Sequence, residues 1–299
     1  MCGIVGLFLK NPKLQPELGK HLETMLIGMS ERGPDSAGIA VYHSGVPEGQ
    51  SKITLFNADT KYDWKKLAAD LGKALGVKTA IDQKGNHARL VAHCAEARAL
   101  PWIRAHHPDV RIMGYGQLME VYKDMGLPVD VAARYGLAEM EGSHAIGHTR
   151  MATESAVTTE HSHPFTPAPD MCLVHNGSLS NHNNLRKWLR KQGQEFETDN
   201  DSEVAARYFA HRLSEGASLK EAMEAGLTDL DGFFTFTMGT KDGFAVLRDA
   251  VACKPAVLAE NDDWVAMASE FRSLAYLPNI EKAKIWEPAP ATVYTWSLH

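Results

Sequence analysis

Residues 1–9 read MCGIVGLFL, a cysteine directly behind the first methionine and then an unbroken apolar run. The run from Gly3 to Leu9 predicts a buried strand, since strands covered on both faces are apolar throughout. Aminopeptidases remove Met1 when residue 2 is small, so we expect the mature chain to begin with Cys2. That residue would carry a thiol and a free α-amine, which together can serve as a nucleophile and its base.

Strand and helix patterns alternate outward from this stretch. A second strand is predicted at residues 37–42, with a helix between the two. In the second half, DMCLVHNG predicts a strand that ends in a turn. Helices are predicted over SNHNNLRKWLRKQG, SEVAARYFAHRLSEG and SLKEAMEAG, the last with a capping box of Ser218 and Glu221. Four β-rich segments follow and suggest an antiparallel meander, so the pattern favours a layered α+β domain.

The segment 46–144 differs in character from its flanks. The stretches YDWKKLAADLGKAL, HARLVAHCAEARALPWIRAHH and GQLMEVYKDMG predict helices, and strand signals are scarce. We therefore expect one domain over residues 2–299 that contains a mostly helical insertion at 46–144.

Composition excludes several classes of protein. The chain has 299 residues and a formal net charge of −6, without a basic run, which argues against nucleic acid as a partner. No apolar stretch reaches the roughly 18–20 residues of a membrane span, and the N-terminus lacks a signal-peptide pattern, so a cytoplasmic protein without membrane association is expected. Four scattered cysteines show no CxxC spacing, so we expect neither a metal site nor another cofactor in this chain.

Two short motifs offer groups that an N-terminal nucleophile would need around it. In GHTRMATES (147–155), the guanidinium fork of Arg150 suits a carboxylate, although a surface arginine is the plainer interpretation. In LVHNGSLSN (173–181), Asn176 offers a side-chain amide and Gly177 an approachable backbone N–H. Two such donors can form an oxyanion hole, but Asn-Gly is also an ordinary turn.

Two further motifs are less specific. In ETDNDSEVAA (197–206), Asp199 or Asp201 either caps the following helix or binds an ammonium group. In ERGPDSAG (31–38), Arg32 and Asp35 surround a Gly-Pro turn, which by itself indicates only a loop.

The motifs together, and in this order, are specific. MCGIVG, RGPDSAG, GHTRMAT, VHNGSLSN, NDSEV, VLRDAV and AMASE resemble the class II glutamine amidotransferases over residues 2–45 and 145–275. These enzymes belong to the N-terminal nucleophile hydrolases, so the resemblance implies a four-layer αββα sandwich.

The resemblance also implies roles for individual residues. Cys2 corresponds to the nucleophile, Asn176 and Gly177 to the oxyanion hole, Arg150 with nearby Thr153 to the α-carboxylate clamp, Asp201 to the α-amino site, and Arg32 to the closing loop. His163 matches a position often held by His or Gln, and its role stays open between chemistry and packing. Met151 and Glu154 depart from the family pattern beside the clamp.

Nearly the whole chain, including MEVYKDMGLPVDVAARYGL, resembles the stand-alone amidotransferase subunits of glutamate-synthase-like assemblies, in particular the N-methylglutamate synthase (methylamine–glutamate N-methyltransferase) family. This implies glutamine or glutamate as the small-molecule substrate and separate partner subunits that carry a flavin and an iron–sulfur cluster. A non-catalytic glutamate-binding subunit and a stand-alone amidase of the same fold remain alternatives.

Overall fold

The computed structural model describes residues 2–151 and 157–298. The strands are β1 (Gly3–Leu9), β2 (Ser36–Tyr42), β3 (Ser51–Phe56), β4 (Thr79–Lys84), β5 (His87–Ala92), β6 (Arg111–Gly116), β7 (Met119–Met125), β8 (His144–Arg150), β9 (Phe165–Ala168), β10 (Met171–Leu179), β11 (Gly232–Thr240), β12 (Gly243–Arg248), β13 (Val257–Glu260), β14 (Trp264–Ala268), β15 (Lys284–Trp286) and β16 (Val293–Ser297). The helices are α1 (Leu18–Ile27), α2 (Trp64–Leu75), α3 (Glu96–His106), α4 (Pro128–Tyr135), α5 (His182–Lys191), α6 (Asp201–Ser214) and α7 (Leu219–Asp229). None of the helices in this part of the chain is long and apolar enough to cross a membrane.

Two antiparallel sheets form the centre of the molecule. The first has seven strands in the order β15-β13-β14-β1-β8-β2-β7, and the second has five in the order β16-β12-β11-β10-β9. Strand β1 lies in the interior of the first sheet and pairs with β14 on one side and β8 on the other. The predicted strand is therefore confirmed, and hydrogen bonds hold it along both edges.

Strand β1 is buried on both faces because it lies between a helical layer and the second sheet. Val5 and Leu7 pack into the core beneath α1, whereas Ile4 belongs to the core between the two sheets. A Cβ on Gly6 would lie 2.5 Å from a ring carbon of Phe244 in the second sheet. Glycine at this position therefore allows the two sheets to approach closely.

The outer faces of both sheets are covered by helices. Helices α1 and α4 contribute to the core on the first sheet, and α5, α6 and α7 to the core on the second. The order of layers is therefore helix, sheet, sheet, helix. The predicted α+β class and αββα sandwich are confirmed.

The segment 46–144 is not mostly helical, and that part of the prediction is wrong. Helix α2 forms as predicted, but HARLVA is strand β5 and only the later part of that stretch is helix α3. Ala88, Leu90 and Ala92 alternate along β5 and bury one face against the cluster that α2 and α3 contribute to. This spacing of two is the strand period, which a helical interpretation of the whole stretch overlooked.

The stretch MEVYKDM is strand β7 rather than a helix. It pairs with β2 over seven residues, including Ile39 with Tyr122, and so extends the seven-stranded sheet of the sandwich. The partner strand lies about eighty residues earlier in the sequence, and a local pattern does not reveal such pairing. The insertion that has its own four-stranded sheet, in the order β4-β5-β3-β6, therefore runs from Ser51 to Gly116.

The second half matches its predicted helices and strands. Helices α5, α6 and α7 form in the predicted segments, and Ser218 and Glu221 make both bonds of the capping box. The β-rich segments do pair as antiparallel neighbours, β11 with β12 and β13 with β14. The two pairs belong to different sheets, however, so the segments do not form one continuous meander.

Asp170 joins the insertion to the sandwich. Its carboxylate accepts backbone hydrogen bonds from Gln117, Leu118 and Met119 at 2.7, 2.8 and 2.9 Å. Its own backbone N–H donates to the carbonyl of Tyr115 at 2.9 Å. Asp170 is 4% exposed, so water cannot easily replace its carboxylate as the acceptor for these donors.

We predict that Asp170→Ala lowers the free energy of unfolding by roughly 3 kcal/mol, because three backbone donors lose a charged acceptor. Asp170→Asn keeps the shape and tolerates the positive φ of 49°, so it should cost less. Urea unfolding followed by circular dichroism measures both. Asp242→Ala, at an exposed aspartate, is the control, and an equal loss in that variant would contradict the role of Asp170.

Candidate active site

Cys2 lies at the end of the first sheet where β8 also ends. Gly3 pairs with Thr149, and the next residue of β8 is Arg150, which pairs with Ser36 of β2. The structure therefore brings Cys2 and Arg150 to the same sheet edge. Cys2 is partly exposed, whereas Arg150 is 5% exposed.

Arg32 contacts the main chain of Cys2 directly. Its Nε donates to the Cys2 carbonyl at 3.0 Å, and its Nη1 donates to Glu270 Oε1 at 2.8 Å. The Nη2 atom is buried and has no hydrogen-bond partner among the described residues. Arg32 therefore fixes the backbone at Cys2 and retains one donor, a contact that its position in a loop motif did not predict.

Asn176 and Gly177 do not form a turn, contrary to the sequence interpretation. Strand β10 continues through both to Leu179 and pairs with β11 along its length. Gly177 has a φ of +148°, and a Cβ there would lie 1.8 Å from the Phe233 carbonyl oxygen. Only glycine fits this backbone, because any side chain would collide with the neighbouring strand.

The Asn176 side chain is an unsatisfied donor. It is 5% exposed, and no atom in the described part of the chain accepts a hydrogen bond from its buried Nδ2. Buried amide groups are nearly always paired, so an orphan is a strained or functional feature. An amide N–H held ready in this way can stabilise a developing negative charge.

The structure separates the roles of Asp199 and Asp201, which the sequence left open. The cap of α6 is Asn200, whose side chain accepts from the Ser202 N–H at 2.8 Å. The Asp199 side chain is 94% exposed and contacts His161. Asp201 is the first residue of α6, and its Oδ2 accepts from the Leu179 N–H at 2.8 Å, at the end of strand β10.

The predicted role of Thr153 and the two departures from the family pattern, Met151 and Glu154, concern the residues that follow Arg150. Thr153 and Glu154 lie outside the described residues, so the expected contribution of Thr153 stays a prediction. Met151 is 37% exposed beside Arg150.

His148 joins the two sheets beneath this edge. Its Nε2 donates to the carbonyl of His175 at 3.1 Å, which links β8, the strand of Arg150, to β10, the strand of Asn176. Burial lowers the pKa of His148 to about 3 and that of His175 to about 4, so both imidazoles are neutral at pH 7. His148 lies in the motif GHTRMATES and His175 in LVHNGSLSN, but the sequence predicted roles only for their neighbours.

His163 extends this contact and is buried, as a packing histidine would be. Its Nδ1 lies 3.3 Å from His148 Nδ1, and burial lowers its pKa well below the ordinary value. Lys123 of β7 donates to the backbone carbonyls of Glu160, Ser162 and Pro164 at 3.3, 2.8 and 3.3 Å. Lys123 therefore fixes the backbone of residues 160–164. No sequence motif indicated this role for Lys123.

A cavity of about 650 Å³ lies elsewhere, between the insertion and the sandwich. Arg111 and Tyr115 line it on one side and Phe165 and Arg207 on the other. Neither Cys2 nor Arg150, Asn176 or Asp201 lines it, so this space is separate from the candidate site.

An αββα sandwich whose interior strand β1 directly follows a cysteine is the architecture of the N-terminal nucleophile amidohydrolases. Glutamine phosphoribosylpyrophosphate amidotransferase from B. subtilis shares the fold, with a TM-score of 0.62 and 19% identity. The match covers 100% of this chain and 49% of that chain, so the present chain spans about half the length of that protein.

Sequence comparison defines the family. A model described as "glutamine amidotransferase domain" matches residues 148–276. The chain is 56% identical to the glutamine amidotransferase-like protein GlxB of Rhizobium meliloti over 299 residues, 99% of this chain and 98% of that protein. It is 31% identical to an amidophosphoribosyltransferase of Archaeoglobus fulgidus over 90% of this chain and 43% of that protein. The chain belongs to the glutamine amidotransferase family.

We predict that the protein loses stability as the pH falls from 6.5 to 5. The unfolded chain binds a proton at each histidine near pH 6.5, whereas the folded protein holds His148 and His175 neutral until about pH 3 and 4. Each group then reduces the free energy of unfolding by up to about 1.4 kcal/mol per pH unit. Urea unfolding across this range measures the slope.

The variant His148→Gln should reduce that slope by the contribution of one histidine, up to about 1.4 kcal/mol per pH unit. His144→Gln removes another buried imidazole, with a pKa of about 4 and no contact with the site, and should reduce the slope similarly. A slope unchanged in both variants would contradict the prediction.

Proposed function

We propose that the chain hydrolyses the side-chain amide of glutamine through Cys2 and releases ammonia to a separate synthase subunit. The main support is the way the two sheets bring the candidate residues together. Cys2 and Arg150 share a sheet edge, and His148 ties their sheet to the strand that presents Asn176 and Gly177. Membership of the glutamine amidotransferase family supports glutamine as the substrate.

Charge complementarity supports recognition of a free amino acid. The Arg150 guanidinium would bind the α-carboxylate in bidentate fashion, with Thr153 nearby, and the Asp201 carboxylate would bind the α-ammonium group. Arg32 would hold the nucleophile in place through its bond to the Cys2 carbonyl. A stand-alone amidase for larger acyl amides would have less use for a pair of groups that suits a zwitterion.

The reaction would proceed in two steps. After removal of Met1, the Cys2 α-amine, with an ordinary pKa of about 7.7–8.0, takes the thiol proton, directly or through water. The sulfur attacks the amide carbon, the C–N bond breaks, and the proton passes to the leaving nitrogen, which departs as ammonia. Water then cleaves the thioester to give glutamate and restores the thiol.

The oxyanion of each tetrahedral intermediate needs donors at the moment of reaction. The unsatisfied Asn176 Nδ2 and the Gly177 N–H are suited to this role. Loss of one such donor costs about 2.7–4 kcal/mol of transition-state stabilisation in a comparable hydrolase. An acceptor that appears only during the reaction accounts for an amide that is left unpaired in the free protein.

The partner is inferred from the sequence resemblance to amidotransferase subunits of glutamate-synthase-like assemblies. We place the chain as the amidotransferase subunit of N-methylglutamate synthase, with flavin and iron–sulfur cluster in the partner subunits and ammonia passed to them. In this arrangement the isolated subunit turns glutamine over slowly until the partner docks, and covalent labelling of Cys2 reports the chemistry alongside the rates.

We predict that a reactive glutamine analogue labels Cys2 in the isolated chain and that Cys2→Ala lowers glutamine hydrolysis by at least about 1,000-fold, because the nucleophile is lost. Peptide mass spectrometry locates the label, and intact mass reports the removal of Met1. Cys253→Ala changes an exposed thiol and should retain activity. Unchanged hydrolysis in Cys2→Ala, or a chain that binds glutamate without labelling at Cys2, would refute the proposal.

We also predict that Arg150→Lys raises KM for glutamine by about 10-fold or more, because an ammonium group does not reproduce the planar fork of guanidinium. Initial rates against glutamine concentration measure the effect. Arg190→Lys, at an exposed position of α5, is the matched control and should leave KM within about 2-fold. Equal KM values for all three proteins would contradict the assigned clamp.

A further inference from the structure

Strand β10 carries a buried histidine that the proposed steps do not use. His175 is 2% exposed and packs on the helical side of the strand, where its ring lies 4.7 Å from that of Phe236. Its Nδ1 lies 2.8 Å from the hydroxyl of Ser202 in α6, which is also 2% exposed. The contact joins the strand of the oxyanion donors to the helix that begins at Asp201.

The direction of these hydrogen bonds follows from the chemistry of the partners. Ser202 Oγ donates to Asp201 Oδ1 at 3.2 Å, since a carboxylate only accepts. The hydroxyl therefore accepts from His175, which places the imidazole proton on Nδ1. Burial lowers the pKa of His175 to about 4, so the ring is neutral and Nε2 carries a lone pair.

The other side of the ring lies against Gly177. Nε2 is buried and has no hydrogen-bond partner in the described ranges. A Cβ built on Gly177 would lie 2.8 Å from this nitrogen. The ring therefore limits where the backbone of Gly177 can move on that side.

The Asp201 carboxylate is tied to strand β10 by two routes, one direct and one through Ser202 and His175. Oδ1 receives the bond from Ser202, and Oδ2 accepts from the Leu179 N–H at 2.8 Å, two residues after Gly177. A displacement of the carboxylate is therefore resisted through Leu179 and through His175 together.

We propose that His175 and Ser202 are positioning residues that join Asp201 to the Asn176–Gly177 segment. Binding of the substrate ammonium group at Asp201 would then be coupled to the alignment of the oxyanion donors at Asn176 and Gly177. The inference rests on the proposed function, because it assigns the two ends of this unit to the two ends of glutamine. A rigid link of this kind acts on rate and affinity together, since small misplacements of donors are costly.

The first test is steady-state kinetics of Ser202→Ala with glutamine, normalised to the amount of Cys2 that a glutamine analogue labels. Loss of the hydroxyl removes one of the two hydrogen bonds to the Asp201 carboxylate and the acceptor of the His175 Nδ1 proton. KM should therefore rise and kcat should fall, with kcat/KM about 10-fold lower or more. His175→Asn retains an amide donor toward Ser202 but loses the ring edge at Gly177. It should lower kcat with a smaller effect on KM.

The matched control is Ser143→Ala. Ser143 Oγ lies 2.8 Å from Nδ1 of His144, another buried histidine, at the opposite end of β8 from Arg150. This variant should leave KM and kcat within about 2-fold. The proposal is overturned if Ser202→Ala reduces only the labelled fraction and leaves KM and kcat of the labelled protein unchanged, or if Ser143→Ala has the same effect.

The second test needs no turnover. Nitrogen-15 NMR of the imidazoles in the unliganded protein should show His175 as the Nδ1–H tautomer, with the signal assigned by its absence in His175→Asn. The Nδ1 resonance should shift in Ser202→Ala, because the hydroxyl that accepts this proton is lost. An Nε2–H tautomer in the unsubstituted protein would overturn the proposed link through His175 and Ser202. An Nδ1–H tautomer in a protein that does not hydrolyse glutamine would refute only the proposed function.

Discussion

The site depends on strand β1 being hydrogen-bonded along both edges. Pairing with β8 and β14 fixes the register of Gly3, and with it the position of the preceding cysteine relative to Arg150. Residues near a chain terminus are ordinarily mobile, and a reactive group gains from being held in one position. The hydrogen bond from Arg32 to the Cys2 carbonyl extends this restraint one residue beyond the strand.

The second sheet carries the remaining residues of the candidate site. Gly6 allows its close approach to the first sheet, and His148 bonds the two sheets through the carbonyl of His175. The strand that crosses here presents an unsatisfied amide at Asn176 and a glycine backbone at Gly177. The two sheets are therefore arranged so that the candidate nucleophile and clamp belong to one and the candidate oxyanion donors to the other.

The residue patterns predicted a layered α+β domain and the family resemblance implied the sandwich, but neither predicted the strands of the insertion. Strands β1 and β2 are short apolar runs, a pattern typical of strands that are covered on both faces. Strand β7 carries Glu120, Lys123 and Asp124 among its apolar residues and is stable as a strand because it pairs with β2. Charges at these positions are satisfied by distant partners, as Lys123 is by the carbonyls of 160–164. No local pattern contains that information.

By itself the sequence determined which chemical groups the protein possesses: a cysteine ahead of a buried strand, an arginine fork, an Asn-Gly pair and a helix-leading aspartate. These groups belong to short motifs, and their chemistry depends on residue type. Only the tertiary structure decided that Asn176 and Gly177 lie within a strand and that Asn200 rather than Asp201 caps α6. It also decided that His175 and Ser202 lie between Asp201 and the Asn176–Gly177 segment, because such contacts depend on how sheets and helices pack across long separations in the chain.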